Sequence, residues 1–164
     1  MKNVFAAVAA LVVLATASPL AIAHSEGKHG KPKSISKEEH SFGRQGDPAK
    51  VTRTVTVDMS DAMRFSPSEI RVKQGETIRF VAKNGGKVMH EMVLGNLAEL
   101  KAHGEMMKKF PNMEHDEPYM AHVGPGKSEE IVWTFTKAGE FHYGCLLPGH
   151  LEAGMIGKII VAGK

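Results

Sequence analysis

The chain has 164 residues, 42% of them apolar and 24% charged, with a formal net charge of +3 when histidine is neutral. That length suits one domain with a packed core, and so small and interspersed a charge gives no argument for nucleic acid. Nine histidines, ten methionines and a single cysteine are the compositional features that point to a chemistry.

In chain order, Lys2, the apolar run from Val4 to Ala17 and the Ala21-Ile22-Ala23 signal read as a secretory signal peptide over residues 1–23, cleaved before His24. The run is too short for a comfortable membrane span, and no other segment approaches that length. The expectation is a periplasmic protein with no membrane attachment after cleavage. Residues 24–50 are rich in Lys, Ser, Gly, Glu and Pro and read as a flexible arm carrying His24, His29 and His40. Once freed, His24 offers an α-amine and an imidazole to Cu(II); a solvated tail with scattered histidines explains the same residues at least as well.

From Val51 the pattern changes. Val51, Val55 and Val57 alternate with polar residues, and further strand patterns cover Phe65 to Val72, Thr77 to Ala82, Val88 to Leu94, Ile131 to Thr136, Glu140 to Gly144 and Gly157 to Ala162. Seven or so short strands with Gly and Asn-Gly turns between them predict an all-β fold, a β-sandwich over residues 51–164. One helical insertion interrupts it. Asn96 to Phe110 reads as a helix, with Leu97, Leu100 and Met107 on one face and Pro111 stopping it. Asn112 to Gly126 reads as an irregular loop holding Met113, His115, Met120 and His122.

The run Cys145-Leu-Leu-Pro-Gly-His150-Leu-Glu-Ala-Gly-Met155 carries the strongest chemical signal. A lone cysteine in an exported chain is a buried bystander, an intermolecular cross-linker or a metal-held thiolate. Its spacing from His150 and Met155 favours the metal. Thiolate and thioether are soft ligands for Cu(I), imidazole serves either copper oxidation state, and a His₂Cys set with a weak Met is the description of an electron-transfer copper site. Pro148, Gly149 and Gly154 let the backbone turn so that the three side chains converge. His90, on a predicted strand just after Asn84-Gly85-Gly86, is the best second histidine. Zinc also takes Cys and His, but Met155 argues for copper.

With these residues in place, the chain resembles the cupredoxin family. The resemblance rests on Ile70-Arg-Val-Lys-Gln-Gly-Glu-Thr-Ile-Arg-Phe80, on His90 and on the Cys145/His150/Met155 loop, and covers roughly Val51 to Ala162. It implies a Greek-key β-sandwich with one type 1 copper at one end, His90, Cys145 and His150 equatorial and Met155 axial. The four-residue gaps on either side of His150 are similar to those of rusticyanin and auracyanin. The chain departs from the family in two ways. Glu91 follows His90 where many members have an Asn that ties the ligand segments together, and a Met/His-rich stretch runs from His103 to His122. With the His-bearing arm, that stretch makes the chain similar to periplasmic copper-tolerance cupredoxins of the CopI type, and leaves room for weaker additional copper sites.

The expected function is Cu(I)/Cu(II) electron transfer in a copper-tolerance role, with redox or copper-handling proteins of the periplasm as partners. The alternative is a plain soluble electron carrier of a respiratory chain. An enzyme is not expected: Cys145 is flanked by Gly144 and Leu146, there is no His-Cys-His route to a catalytic copper, and no Ser/His/Asp set or H-E-x-x-H helix is visible.

Overall fold

The computed structural model describes residues 34–164 apart from 111, 112 and 114; the expected signal peptide, 1–23, and the start of the arm, 24–33, lie outside the described residues. Two sheets face each other. One contains, in spatial order, β1 (Glu39–His40), β2 (Gly43–Gln45), β9 (Ser128–Thr134), β6 (Thr77–Asn84), β3 (Arg53–Ser60) and β4 (Arg64–Ser66). The other contains β5 (Glu69–Lys73), β11 (Ile156–Ala162), β10 (Gly139–Gly144), β7 (His90–Gly95) and β8 (Met120–Val123). β3 runs parallel to β6 and β5 parallel to β11, while the other pairings are antiparallel. Such crossing connections make the Greek-key sandwich expected from the sequence. An α-helix, α1 (Leu97–Lys109), joins β7 to β8.

Period-two alternation explains what fills the space between the sheets. β3 turns Val57 and Met59 inward, β6 turns Ile78, Phe80 and Ala82, and β9 turns Ile131 and Trp133, all buried. β10 contributes Phe141 and Tyr143 from the opposite sheet. Each such large side chain contributes roughly 1.5–3 kcal/mol through burial. Gly157 is needed beside Tyr143, because a Cβ there would sit 2.1 Å from the ring.

Every residue of β7 is buried. Met92 and Leu94 face the main core, while Val93 faces a second cluster with Leu100 and Met107 of α1, Met120 and Leu146. The helix begins with a reciprocal cap: the Asn96 side chain accepts from Glu99 N–H at 2.8 Å, and Glu99 accepts from Asn96 N–H at 3.3 Å.

Four expectations need correction. The flexible arm does not extend to Lys50: β1 and β2 extend the sheet through β9, and Phe42 is buried against Trp133, whose indole N–H donates to the Phe42 carbonyl at 3.0 Å. The turn that seats Phe42 allows one aromatic side chain to anchor an otherwise polar segment. Phe65 to Val72 is two strands in different sheets, β4 and β5. The expected irregular loop after the helix contains β8, which pairs with β7 from His90↔Val123 to Val93↔Met120. Leu97 is exposed, and the buried face of α1 is Leu100, Gly104 and Met107.

Candidate metal centre

The strand alternation that builds the core also aims the cysteine. Cys145 follows Tyr143 by two residues and keeps its inward direction, fully buried at the end of β10. His90 starts β7 on the same inward-facing row as Met92 and Leu94 and is also fully buried. His150 arrives from the connection between β10 and β11. The ligating atoms of His90, Cys145 and His150 all lie within 4.8 Å of one another. Cys145 Sγ is 3.2 Å from His150 Nδ1, and the two imidazole rings are 5.2 Å apart between centroids.

The loop from Cys145 to Met155 is closed by its own backbone. Cys145 N–H donates to the Met155 carbonyl at 3.1 Å, Met155 N–H to the His150 carbonyl at 3.0 Å, and His150 N–H to the Leu147 carbonyl at 3.0 Å. Gly149 and Gly154 hold φ of +88° and +94°, the left-handed conformation that favours glycine. Met155 is completely buried and belongs to the main core cluster beside Cys145. Leu146 is buried under α1, Leu147 is half-buried, and Val88 and Met89 are exposed just before His90.

One turn, between β3 and β4, reaches both ligand segments. Asp61 accepts from the backbone N–H of Lys87 at 2.8 Å and from His90 Nε2 at 3.3 Å. Arg64 Nη1 donates to the Ala153 carbonyl at 2.7 Å. Asn84 braces the approach to His90 by donating to the Val88 and Val123 carbonyls, each at 2.8 Å. The Asp61 carboxyl is held below its usual range, first by the Lys87 N–H and then by Val88 N–H and His90. Asp61 and Arg64 were not singled out in the sequence, where nothing marks a turn residue as a neighbour of a distant strand. Asn84 was visible only as part of a turn.

Donor by donor, the site suits copper. With Nε2 of His90 engaged by Asp61, Nδ1 is left buried with no hydrogen-bond partner among the described residues. A carboxylate on one ring nitrogen fixes the tautomer that leaves the other bare for a metal. Burial pushes the Cys145 thiol up to about 12, partly offset by the backbone N–H groups of Glu91 and Leu147. Burial likewise lowers His150, assisted by His90. A sealed thiol beside two imidazoles, with a buried thioether residue on the Cys145 loop, is the soft and borderline donor set that copper takes.

Glu91 does not bridge the ligand segments through its side chain. As the outward-facing neighbour of His90, it pairs through Oε1 with His122 Nδ1 at 3.0 Å, across β7 and β8. Its backbone N–H donates to Cys145 Sγ at 3.3 Å, so the tie between ligand segments is made by main chain.

A two-sheet fold that brings His90 of β7 against Cys145 and His150 of a closed loop defines a copper-binding sandwich domain of the cupredoxin kind. The chain belongs to the plastocyanin/azurin family of copper binding proteins, whose family model matches residues 51–162. It is 49% identical over 164 residues to the copper-resistant cuproprotein CopI of Rubrivivax gelatinosus, covering 98% of this chain and 99% of that protein. It is 36% identical over 150 residues to the protein of the same name from Pseudomonas aeruginosa, covering 74% and 82% of the two chains. Among solved structures, auracyanin B shares the fold with a TM-score of 0.61 and 22% identity, over 76% of this chain and 96% of that one. The auracyanin of Roseiflexus castenholzii gives 0.59 and 23%, over 68% and 98%.

Proposed function

We propose that this chain is a type 1 copper protein that carries single electrons in a copper-tolerance role, with His90, Cys145, His150 and Met155 as its ligands. The observation that carries the reading is a cluster of His90, Cys145 and His150 with ligating atoms within 4.8 Å of one another, in which the buried Nδ1 of His90 has no hydrogen-bond partner among the described residues. Bound copper supplies one-electron chemistry between Cu(I) and Cu(II). The chain's own residues supply the rest. Cys145 gives a thiolate that is itself fully buried. Asp61 and the closed loop hold the two imidazoles in place before metal arrives. Met155, fixed by backbone bonds to both Cys145 and His150, supplies the weak fourth donor. Such pre-organisation limits the rearrangement that a change of oxidation state demands.

The tolerance role is supported by copper-resistant relatives, one of which matches 98% of the chain. In this reading residues 1–23 are a signal peptide and the protein works in the periplasm. Its partners there are redox proteins or copper-handling proteins, approaching over the exposed Val88 and Met89 beside His90. Among the described residues no helix is long and apolar enough to cross a membrane. Cupredoxin domains are generally electron carriers rather than enzymes, and no catalytic role is proposed.

The test is the visible spectrum after addition of cupric salt. An intense thiolate-to-copper band that disappears in Cys145→Ser is expected; a colourless wild type would overturn the site. In a copper-sensitive host exporting the chain, wild type should restore growth on copper and Cys145→Ser should not. Equal rescue by both would leave the plain electron carrier as the better description.

A further inference from the structure

A second group of soft and borderline donors lies away from the Cys145 loop. Between α1, the segment that follows it and the β1–β2 turn is a cleft of about 610 Å³, lined by His40, His103, Met106, Met113, His115 and Tyr119 among others. His103 stands on α1, one residue from the buried Gly104. His115 comes from the segment leading to β8. Their Nε2 atoms are 2.7 Å apart, with ring centroids 4.7 Å apart.

Two ring nitrogens at that distance share one proton. His115 Nδ1 lies 3.1 Å from the Met113 carbonyl, which accepts no hydrogen bond unless that nitrogen carries the hydrogen. Its Nε2 is therefore bare, and His103 donates across the gap. A backbone carbonyl on the far nitrogen is the arrangement that orients a metal-binding imidazole. His115 is held in turn by His122, whose Nε2 donates to the His115 carbonyl at 3.1 Å. Met106 and Met113 line the same cleft and are both exposed, so neither thioether is consumed by the core.

We propose that His103 and His115 form a second metal site, for a monovalent copper ion that takes the place of their shared proton, with Met106 and Met113 supplying thioethers. Two metal–nitrogen bonds of about 2.0 Å at a tetrahedral angle place the nitrogens about 3.3 Å apart. The pair opens by about half an ångström to reach that distance, within the freedom of a half-buried histidine on a connecting segment. The thioethers select the soft monovalent ion over Zn(II) or Cu(II). The site shares no residue with the Cys145 centre, so the two assignments stand or fall separately. It would add a storage position to a protein that otherwise holds one copper.

The experiment counts Cu(I) bound by the whole protein in competition with a chromophoric Cu(I) chelator, with Ag(I) as a redox-silent probe read by native mass spectrometry. His103→Ala/His115→Ala should bind one equivalent fewer than wild type while keeping the cupric band of the Cys145 site. His115→Ala alone, which leaves the helix untouched, should show the same loss. Met106→Leu/Met113→Leu should lose that equivalent to the chelator at a lower competitor concentration. Cys145→Ser should lose the band and keep the equivalent that depends on His103 and His115. A His103→Ala/His115→Ala protein that binds as much Cu(I) and Ag(I) as wild type overturns the proposal. Methionine variants that hold the ion as tightly as wild type overturn it as a soft-metal site.

Discussion

Asp61 and His90 lie 29 residues apart in sequence and 3.3 Å apart in space, and their contact decides which imidazole nitrogen is left for the metal. The Asp61 side chain is 40% exposed while the His90 ring is sealed from solvent, so the carboxylate acts as a clamp from the surface on an imidazole held inside. Asp61→Ala should lower copper affinity about 10- to 100-fold, the usual consequence of losing such a partner, with the fold intact. Asp61→Asn keeps an acceptor and should recover part of the loss. Chelator competition measures both; an Asp61→Ala protein with wild-type affinity would show that β7 alone positions His90.

The Cys145 thiol should be unreactive in the metal-free protein. With its pKa raised from 9.0 to about 12, the thiolate fraction at pH 8 falls roughly a thousandfold. Alkylation by iodoacetamide should be slow in native conditions and become fast in denaturant. Equal rates in both would mean that the site is open to solvent without metal.

Phe42 should anchor the first two strands. Its ring stacks on Trp133 with centroids 5.1 Å apart and is only 3% exposed. Phe42→Ala should destabilise the metal-free protein by about 3–5 kcal/mol, seen as a lower urea midpoint, while the cupric band survives. A midpoint unchanged from wild type would return residues 39–45 to the status of a dispensable arm.

His142 should make the metal-free protein sensitive to acid. Burial holds its pKa below the usual 6.5, against the raising effect of Glu140 and with a smaller lowering effect of Lys158. Its Nδ1 is buried with no hydrogen-bond partner among the described residues. As pH falls, the unfolded chain takes up this proton first. The stability contribution is therefore full above about pH 6.5 and is lost as pH falls through the lower folded-state value. Between pH 7 and pH 5 the wild-type urea midpoint should fall further than that of His142→Gln. Parallel curves would place the acid sensitivity elsewhere.

Much of the fold was legible because its signals are local. Short strand patterns bounded by turns marked β3, β6, β9, β10 and β11, and the spacing of Leu97, Leu100 and Met107 ahead of Pro111 marked α1. β8 was missed because a four-residue strand with Gly124 behind it and polar residues before it offers too short a period. β1 and β2 were missed because only the pairing of β2 with β9 and the burial of Phe42 give that polar segment a reason to be ordered. Glu91 stood out as a departure from the family pattern, yet its side chain belongs to the other face of β7, where His122 is its partner.

The sequence by itself determined which donors are on offer. Cys145, His150 and Met155 lie on one short loop, and their residue types suit copper wherever the loop is placed. Only the tertiary structure decided how those donors are held: the free nitrogen of His90, the two arms of the Asp61–Arg64 turn, and the meeting of His103 with His115. The physical reason is that donor identity resides in single side chains. Tautomer, burial and shared protons depend on neighbours brought from distant segments, and no local pattern records them.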